Sequence, residues 1–159
     1  MKILCIGRNY VAHIEELKNE MPAEPVFFMK PDSSLLKGNQ PFEIPSWSSN
    51  LHHEIELVMK ICRTGKNIGR KHARRYFREI GLGIDFTARD VQNQLSSKGL
   101  PWEKAKGFDQ SAVLGTAFLD LQLAHDRREA SGAVPVQSVG QTVEQAGAVG
   151  VAAAGRVDE

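Results

Sequence analysis

Runs of apolar residues only four to six long, separated by turn-forming clusters, predict a chain of short strands joined by short helices. Ile3-Leu4-Cys5-Ile6, ended by Gly7, reads as an opening strand. Gly7-Arg8-Asn9-Tyr10 then reads as a turn in which Asn9 caps a short helix ended by Pro22. On that helix His13 and Glu16, three apart, share a face. Val26-Phe27-Phe28-Met29 is a second strand, followed by a loop at Lys30-Pro31-Asp32-Ser33-Ser34. A third strand spans 54–62, and Thr64-Gly65-Lys66-Asn67 turns the chain. From Gly69 to Ile80 the spacing of Ala73, Tyr76, Phe77 and Ile80 at threes and fours predicts a helix with one side packed on a sheet. Gly81-Leu82-Gly83-Ile84, ended by Asp85, is a further apolar run. Thr87 stands three residues before Asp90, the arrangement of a capping box, and predicts a helix through Val91 and Leu95 to about Gly99. Pro101 to Asp109 reads as a loop.

Candidate chemistry lies in the strands. Glu54 and Glu56 stand two apart within the run that holds Ile55, Leu57, Val58 and Met59. The two-residue period of a strand puts both carboxylates on one face, where like charges repel unless something positive lies between them. A divalent cation is the simplest such partner. With Asp85 as a third oxygen ligand, the set suits Mg²⁺ or Mn²⁺. Each residue also has a plainer reading: a solvated strand face for the glutamates, a turn for Asp85, and an exposed helix pair for His13 and Glu16.

A length of 159 residues, 42% hydrophobic and 25% charged, fits one domain able to bury a core. The net charge of +1 supplies no general field for nucleic acid or anionic membranes. The basic stretch Arg70-Lys71-His72-Ala73-Arg74-Arg75 accordingly reads as a solvated helix face. Cys5 and Cys62 read as small core residues in a reducing cytoplasm, and the opening apolar run is too short for a signal peptide or a membrane span. From about residue 120 the chain becomes rich in Ala, Gly, Val and Gln and loses Lys, Ile, Met and every aromatic. Residues 120–159 are therefore expected to form a weakly structured tail, with a poor amphipathic helix as the alternative.

Five blocks together carry a family resemblance: Gly7-Arg8-Asn9-Tyr10 with His13 and Glu16; Phe28-Met29-Lys30-Pro31; His53-Glu54-Ile55-Glu56-Leu57; Asp85-Phe86-Thr87-Ala88-Arg89-Asp90 with Gln92; and Trp102-Glu103-Lys104-Ala105-Lys106-Gly107-Phe108-Asp109. In this order and at these separations the chain resembles the fumarylacetoacetate hydrolase superfamily, above all its short acylpyruvase and oxaloacetate decarboxylase members, over residues 1 to about 118. The resemblance implies an α+β fold, a β-roll of mixed strands with short helices, incomplete at its C-terminal end. It implies a partial catalytic domain over 1–119 and a homodimer with one Mg²⁺ or Mn²⁺ in each active site. Glu54, Glu56 and Asp85 match the metal carboxylates, Lys106 the active-site lysine, His13 and Glu16 a dyad on a lid helix, and Arg8 and Gln92 substrate contacts. Short members continue to a Gly-Thr-Pro motif followed by Gly-Val-Gly, which this sequence lacks. The shift in composition after Phe118 is that expected of a truncated or frame-shifted product.

The implied activity is hydrolysis or decarboxylation of small 2-oxo or β-diketo acids, as in cleavage of an acylpyruvate or of oxaloacetate. The metal would act as electron sink, Lys106 would stabilise developing negative charge, and His13 would take a proton from water while Glu16 orients it. Isomerisation of 2-hydroxy-diene-dioates is the enzymatic alternative, and a non-catalytic fragment with unpaired strand edges is the other. No nucleic acid or membrane partner is expected.

Overall fold

The computed structural model of the chain describes residues 1–7, 23–38, 40–122 and, in strand pairing only, 151–155. Arg8, His13 and Glu16 and the short helix expected around them lie outside the described residues.

Six strands form one mixed sheet: β1 (Lys2–Gly7), β2 (Val26–Lys30), β3 (Leu51–Ile61), β4 (Phe77–Ala88), β5 (Ala112–Asp120) and β6 (Val151–Gly155). Their order across the sheet is β2-β1-β6-β3-β4-β5. All neighbours are antiparallel except β6 and β3, which run parallel. Two short helices, α1 (Arg89–Ser97) and α2 (Glu103–Lys106), follow β4. These mixed strands and short helices are the α+β architecture expected.

Alternation sorts the two faces. On the inner face Ile3 and Cys5 of β1, Val58 of β3 and Ala112 of β5 form a buried cluster, with Phe28, Leu114 and Phe118 packed against it. Fully burying a side chain such as Ile3 or Val58 is worth about 1.5–3 kcal/mol. The outer face carries Leu4, Phe27, Met29, Ile55, Leu82 and Leu119, all exposed. Gly81 and Gly83 let strands approach on the inner face, for a Cβ at Gly83 would stand 2.8 Å from both the Val113 carbonyl oxygen and a Val58 methyl.

Four expectations need correction. Residues 69–80 do not form one helix: Arg70–Tyr76 is a 3-10 turn with no buried residue, and Phe77 already belongs to β4. Eleven residues of β3 pair with β4, ending at Ile61 opposite Phe77, and this long ladder overrides the helical spacing. Thr87 does not cap α1; it lies within β4, and Ala88, the last residue of that strand, occupies the cap position without a side-chain hydrogen bond. Cys62 is exposed at the end of β3, whereas Cys5 is buried as expected. Finally, five residues of the expected tail form β6, which pairs with β1 on one side and β3 on the other. Backbone hydrogen bonding joins β6 to its neighbours, a tie that needs no bulky alternation. Among the described residues no helix is long and apolar enough to cross a membrane.

Candidate active site

Strand pairing builds the centre of the site. Glu54 lies directly opposite Asp85, and Glu56 opposite Gly83. Directly paired residues share a face, so two adjacent strands deliver three carboxylates to the inner side. Glu56 and Asp85 are buried and Glu54 half-buried, and one oxygen of each lies within 4.8 Å of the others. The convergence of Glu54, Glu56 and Asp85 read from the sequence is thus present.

Three basic side chains from three other elements answer this negative charge. Lys106, at the end of α2 and 3% exposed, donates to Glu54 Oε2 at 2.9 Å, to Asp85 Oδ2 at 2.8 Å and to Thr87 Oγ1 at 2.5 Å. Those contacts use all three ammonium protons. The same ammonium stands 5.0 Å from the centre of the Phe28 ring, which meets Trp102 edge to face. Phe28 and Trp102 thereby make an apolar wall beside the lysine. Arg89, at the start of α1, donates one nitrogen to Glu54 Oε1 and another to the side-chain oxygen of Gln92. Gln92 is buried and reaches the carboxylates through this arginine.

Lys30 ends β2 rather than lying in the expected loop, and it is 2% exposed. Its ammonium donates to the carbonyl oxygens of Phe86, Lys106 and Ser111 and to Ser111 Oγ, and stands 2.7 Å from Asp85 Oδ1. Those oxygens outnumber its three protons. Its protons are therefore shared among them, and with Lys106 at Oδ2 both Asp85 oxygens face an ammonium. Three hard carboxylate oxygens within 4.8 Å of one another, one from each of three residues, fit a divalent cation. The donor set of Glu54, Glu56 and Asp85 is of the kind that holds Mg²⁺ or Mn²⁺.

The electrostatics follow from these contacts. Burial pushes the Glu54 carboxyl up, but the Lys106 ammonium and then Arg89 more than offset it and hold the group below the usual range. Burial pulls Lys30 below the usual lysine range against the opposing pull of Asp85. Burial, reinforced by Asp85, pushes the Cys5 thiol up to about 12, so this cysteine is a neutral packing group. At the rim Asp90 accepts from Ser48 Oγ and from the Ser49 amide and hydroxyl, tying the loop before β3 to α1. Those bonds, that of the Ser49 amide foremost, hold its carboxyl down at about 2.

Four polar participants, Lys30, Thr87, Arg89 and Ser111, were given no site role by the sequence reading. The available signal for Lys30 was period two, which places it on the face of Phe28.

Comparisons with known proteins place the chain in a family. A model of the fumarylacetoacetate hydrolase C-terminal domain matches residues 2–149. A mitochondrial oxaloacetate decarboxylase of Dictyostelium discoideum is 49% identical over 68% of this chain and 50% of its own length. An oxaloacetate tautomerase of Escherichia coli is 42% identical over 71% of this chain and 52% of its own. The chain therefore spans about half the length of the curated relatives it matches. Among solved structures, a fumarylpyruvate hydrolase of Pseudomonas aeruginosa in complex with Mn²⁺ and pyruvate superposes with a TM-score of 0.69 at 34% identity, covering 76% of this chain and 54% of that one.

Proposed function

The chain belongs to the fumarylacetoacetate hydrolase family, and from that premise we propose that it is a metal-dependent enzyme that binds a small 2-oxo acid and stabilises its enolate. That charge state is common to tautomerisation and decarboxylation of acids like oxaloacetate. The observation that carries the reading is the meeting of Glu54, Glu56 and Asp85 within 4.8 Å, with the Lys106 ammonium bonded to two of them. The names of the relatives support the substrate class.

Glu54, Glu56 and Asp85 are the residues that would hold Mg²⁺ or Mn²⁺. A divalent cation there supplies Lewis-acid polarisation of a carbonyl. Lys106, its ammonium bonded to Glu54, Asp85 and Thr87, sets a fixed positive charge beside the negative charge developing on the substrate oxygen, an effect strengthened where Phe28 and Trp102 keep water away. Arg89 orients Glu54, and Lys30 fixes Asp85. Gln92 contacts substrate, as does Arg8. Hydrolysis of an acylpyruvate needs in addition an activated water, a task assigned to His13 with Glu16 as its orienting partner. The exposed outer face, with Phe27, Met29, Ile55, Leu82 and Leu119, supports pairing of two copies as a homodimer.

The test follows oxaloacetate enol by its ultraviolet absorbance with the chain and with Glu54→Gln, in Mg²⁺ or Mn²⁺. A loss of about 10²-fold or more is expected in the variant. Metal should also raise the melting midpoint of the unaltered chain and leave that of Glu54→Gln/Glu56→Gln in place, since a ligand that binds only the folded state stabilises it. Equal rates for the chain and its variant would end the proposal.

A further inference from the structure

The basic stretch Arg70–Arg75 is exposed throughout, a solvated face carried on a 3-10 turn beside the closing end of the β3–β4 hairpin. The β3–β4 ladder ends where Ile61 pairs with Phe77, and the Cys62 amide donates to the Tyr76 carbonyl oxygen at 2.9 Å. At this closed end Arg63, just past the end of β3, lines one cleft with Arg74, Arg75 and Arg78. The four arginines surround a cleft of about 610 Å³ whose wall also includes Phe77 and Leu121. Along β3 the cleft lies roughly 25 Å from Glu54, taking ~3.3 Å per residue.

Two of the four guanidinium groups are engaged. Arg78 pairs with Asp120 at 2.8 Å, and Arg74 lies over the Phe77 ring at 5.4 Å. Among the described residues neither Arg63 nor Arg75 has an acidic partner. Four arginines thus line one hollow with one carboxylate paired to them among the described residues, although the whole chain carries only +1. Such a concentration of like charge is relieved by an anion, and a concave wall focuses the field that draws one in. The planar fork of arginine matches phosphate oxygens two at a time. An excess of three charges balances two phosphate groups at about −1.5 each. The cleft volume lies within the range of small-molecule sites, and Phe77 with Leu121 offers an apolar surface to the rest of the ligand.

We propose that this cleft binds a small organic molecule carrying two adjacent phosphate groups, at a site separate from the carboxylate centre. The probe is inorganic pyrophosphate, titrated calorimetrically into the 159-residue chain with a chelator present so that no metal takes part, beside inorganic phosphate. Saturable one-to-one binding is expected, with pyrophosphate at least about tenfold tighter than phosphate. Arg63→Gln/Arg75→Gln should weaken pyrophosphate by about tenfold or more, and Arg63→Lys/Arg75→Lys by less, because it keeps charge and loses the fork. Circular dichroism checks that each variant is folded, and the lysine pair serves as the measurement should the glutamine pair not fold. Absence of saturable binding overturns the proposal. Binding that survives both arginine pairs and is lost in Arg89→Gln assigns the anion to the carboxylate site and also overturns it. Equal competition by a short RNA, falling steeply with salt, replaces the cleft with a general polyanion surface.

Discussion

Replacing Lys30 with methionine isolates the buried charge beneath the site, because methionine keeps most of the length of the chain and removes the ammonium. Lys30 and Asp85 are 2% and 4% exposed, and their charges are 2.7 Å apart. At an effective dielectric constant of about 20, that separation gives ~6 kcal/mol of gross attraction, much of it offset by desolvation of both groups. Removing one partner of a buried pair costs about 3–5 kcal/mol. Asp85 keeps Lys106 at 2.8 Å, which places Lys30→Met near the lower end, about 3 kcal/mol. That is a large part of the ~5–15 kcal/mol typical of a domain. The assay is urea unfolding at pH 7 with chelator for Lys30→Met, Asp85→Asn and the double variant. If the pair interacts as its geometry requires, the double variant loses less than the sum of the two by about 1.5 kcal/mol or more. Losses that add to within about 0.5 kcal/mol would refute the coupling.

Two further outcomes follow from the rim and the ladder. Asp90, held down at about 2 from an ordinary 3.8, contributes stability that is present above the unfolded value and lost as pH falls through the folded one. Asp90→Asn should therefore melt below the unaltered chain at pH 7, with the gap closing between about pH 4 and pH 2, whereas a gap constant over that window contradicts the assignment. Gly83→Ala drives a methyl to 2.8 Å from the Val113 carbonyl oxygen and should cost about 1–3 kcal/mol by urea midpoint. Gly69→Ala, with nothing within 4 Å of the added carbon, should change little, and equal losses would contradict the close approach.

The carboxylates were legible because a strand converts spacing of two into one face, so Glu54 and Glu56 declared their partnership before any fold was known. Lys106 was legible only through its family block, since its neighbours Glu103 and Lys104 look like those of a solvated loop. Lys30 was hidden because Pro31, Asp32 and Ser33 follow it with turn chemistry; period two puts it on the Phe28 face, but no local pattern announces partners that come from β4, α2 and the segment before β5. Thr87 misled because a hydroxyl three residues before an acid satisfies the capping pattern. In the fold it turns to Lys106, and Asp90 turns to Ser48 and Ser49. Phe77 and Ile80 fitted a helix by spacing and joined β4 because the ladder to β3 is a long-range pairing that no local window contains. β6 escaped notice because what places it is main-chain pairing on both sides.

The opposed chemistry of the two sheet faces polices the alignment of β3 with β4. A slip of one residue would turn Glu54 and Glu56 outward among Phe27, Leu82 and Leu119, and swing Ile55 and Leu57 toward the ammonium groups. Greasy side chains would then face two lysines left with Asp85 alone on one side, and acids would lie on an oily surface on the other. Misalignment is penalised twice, so the arrangement that gathers the acids also guards the hairpin against mispairing.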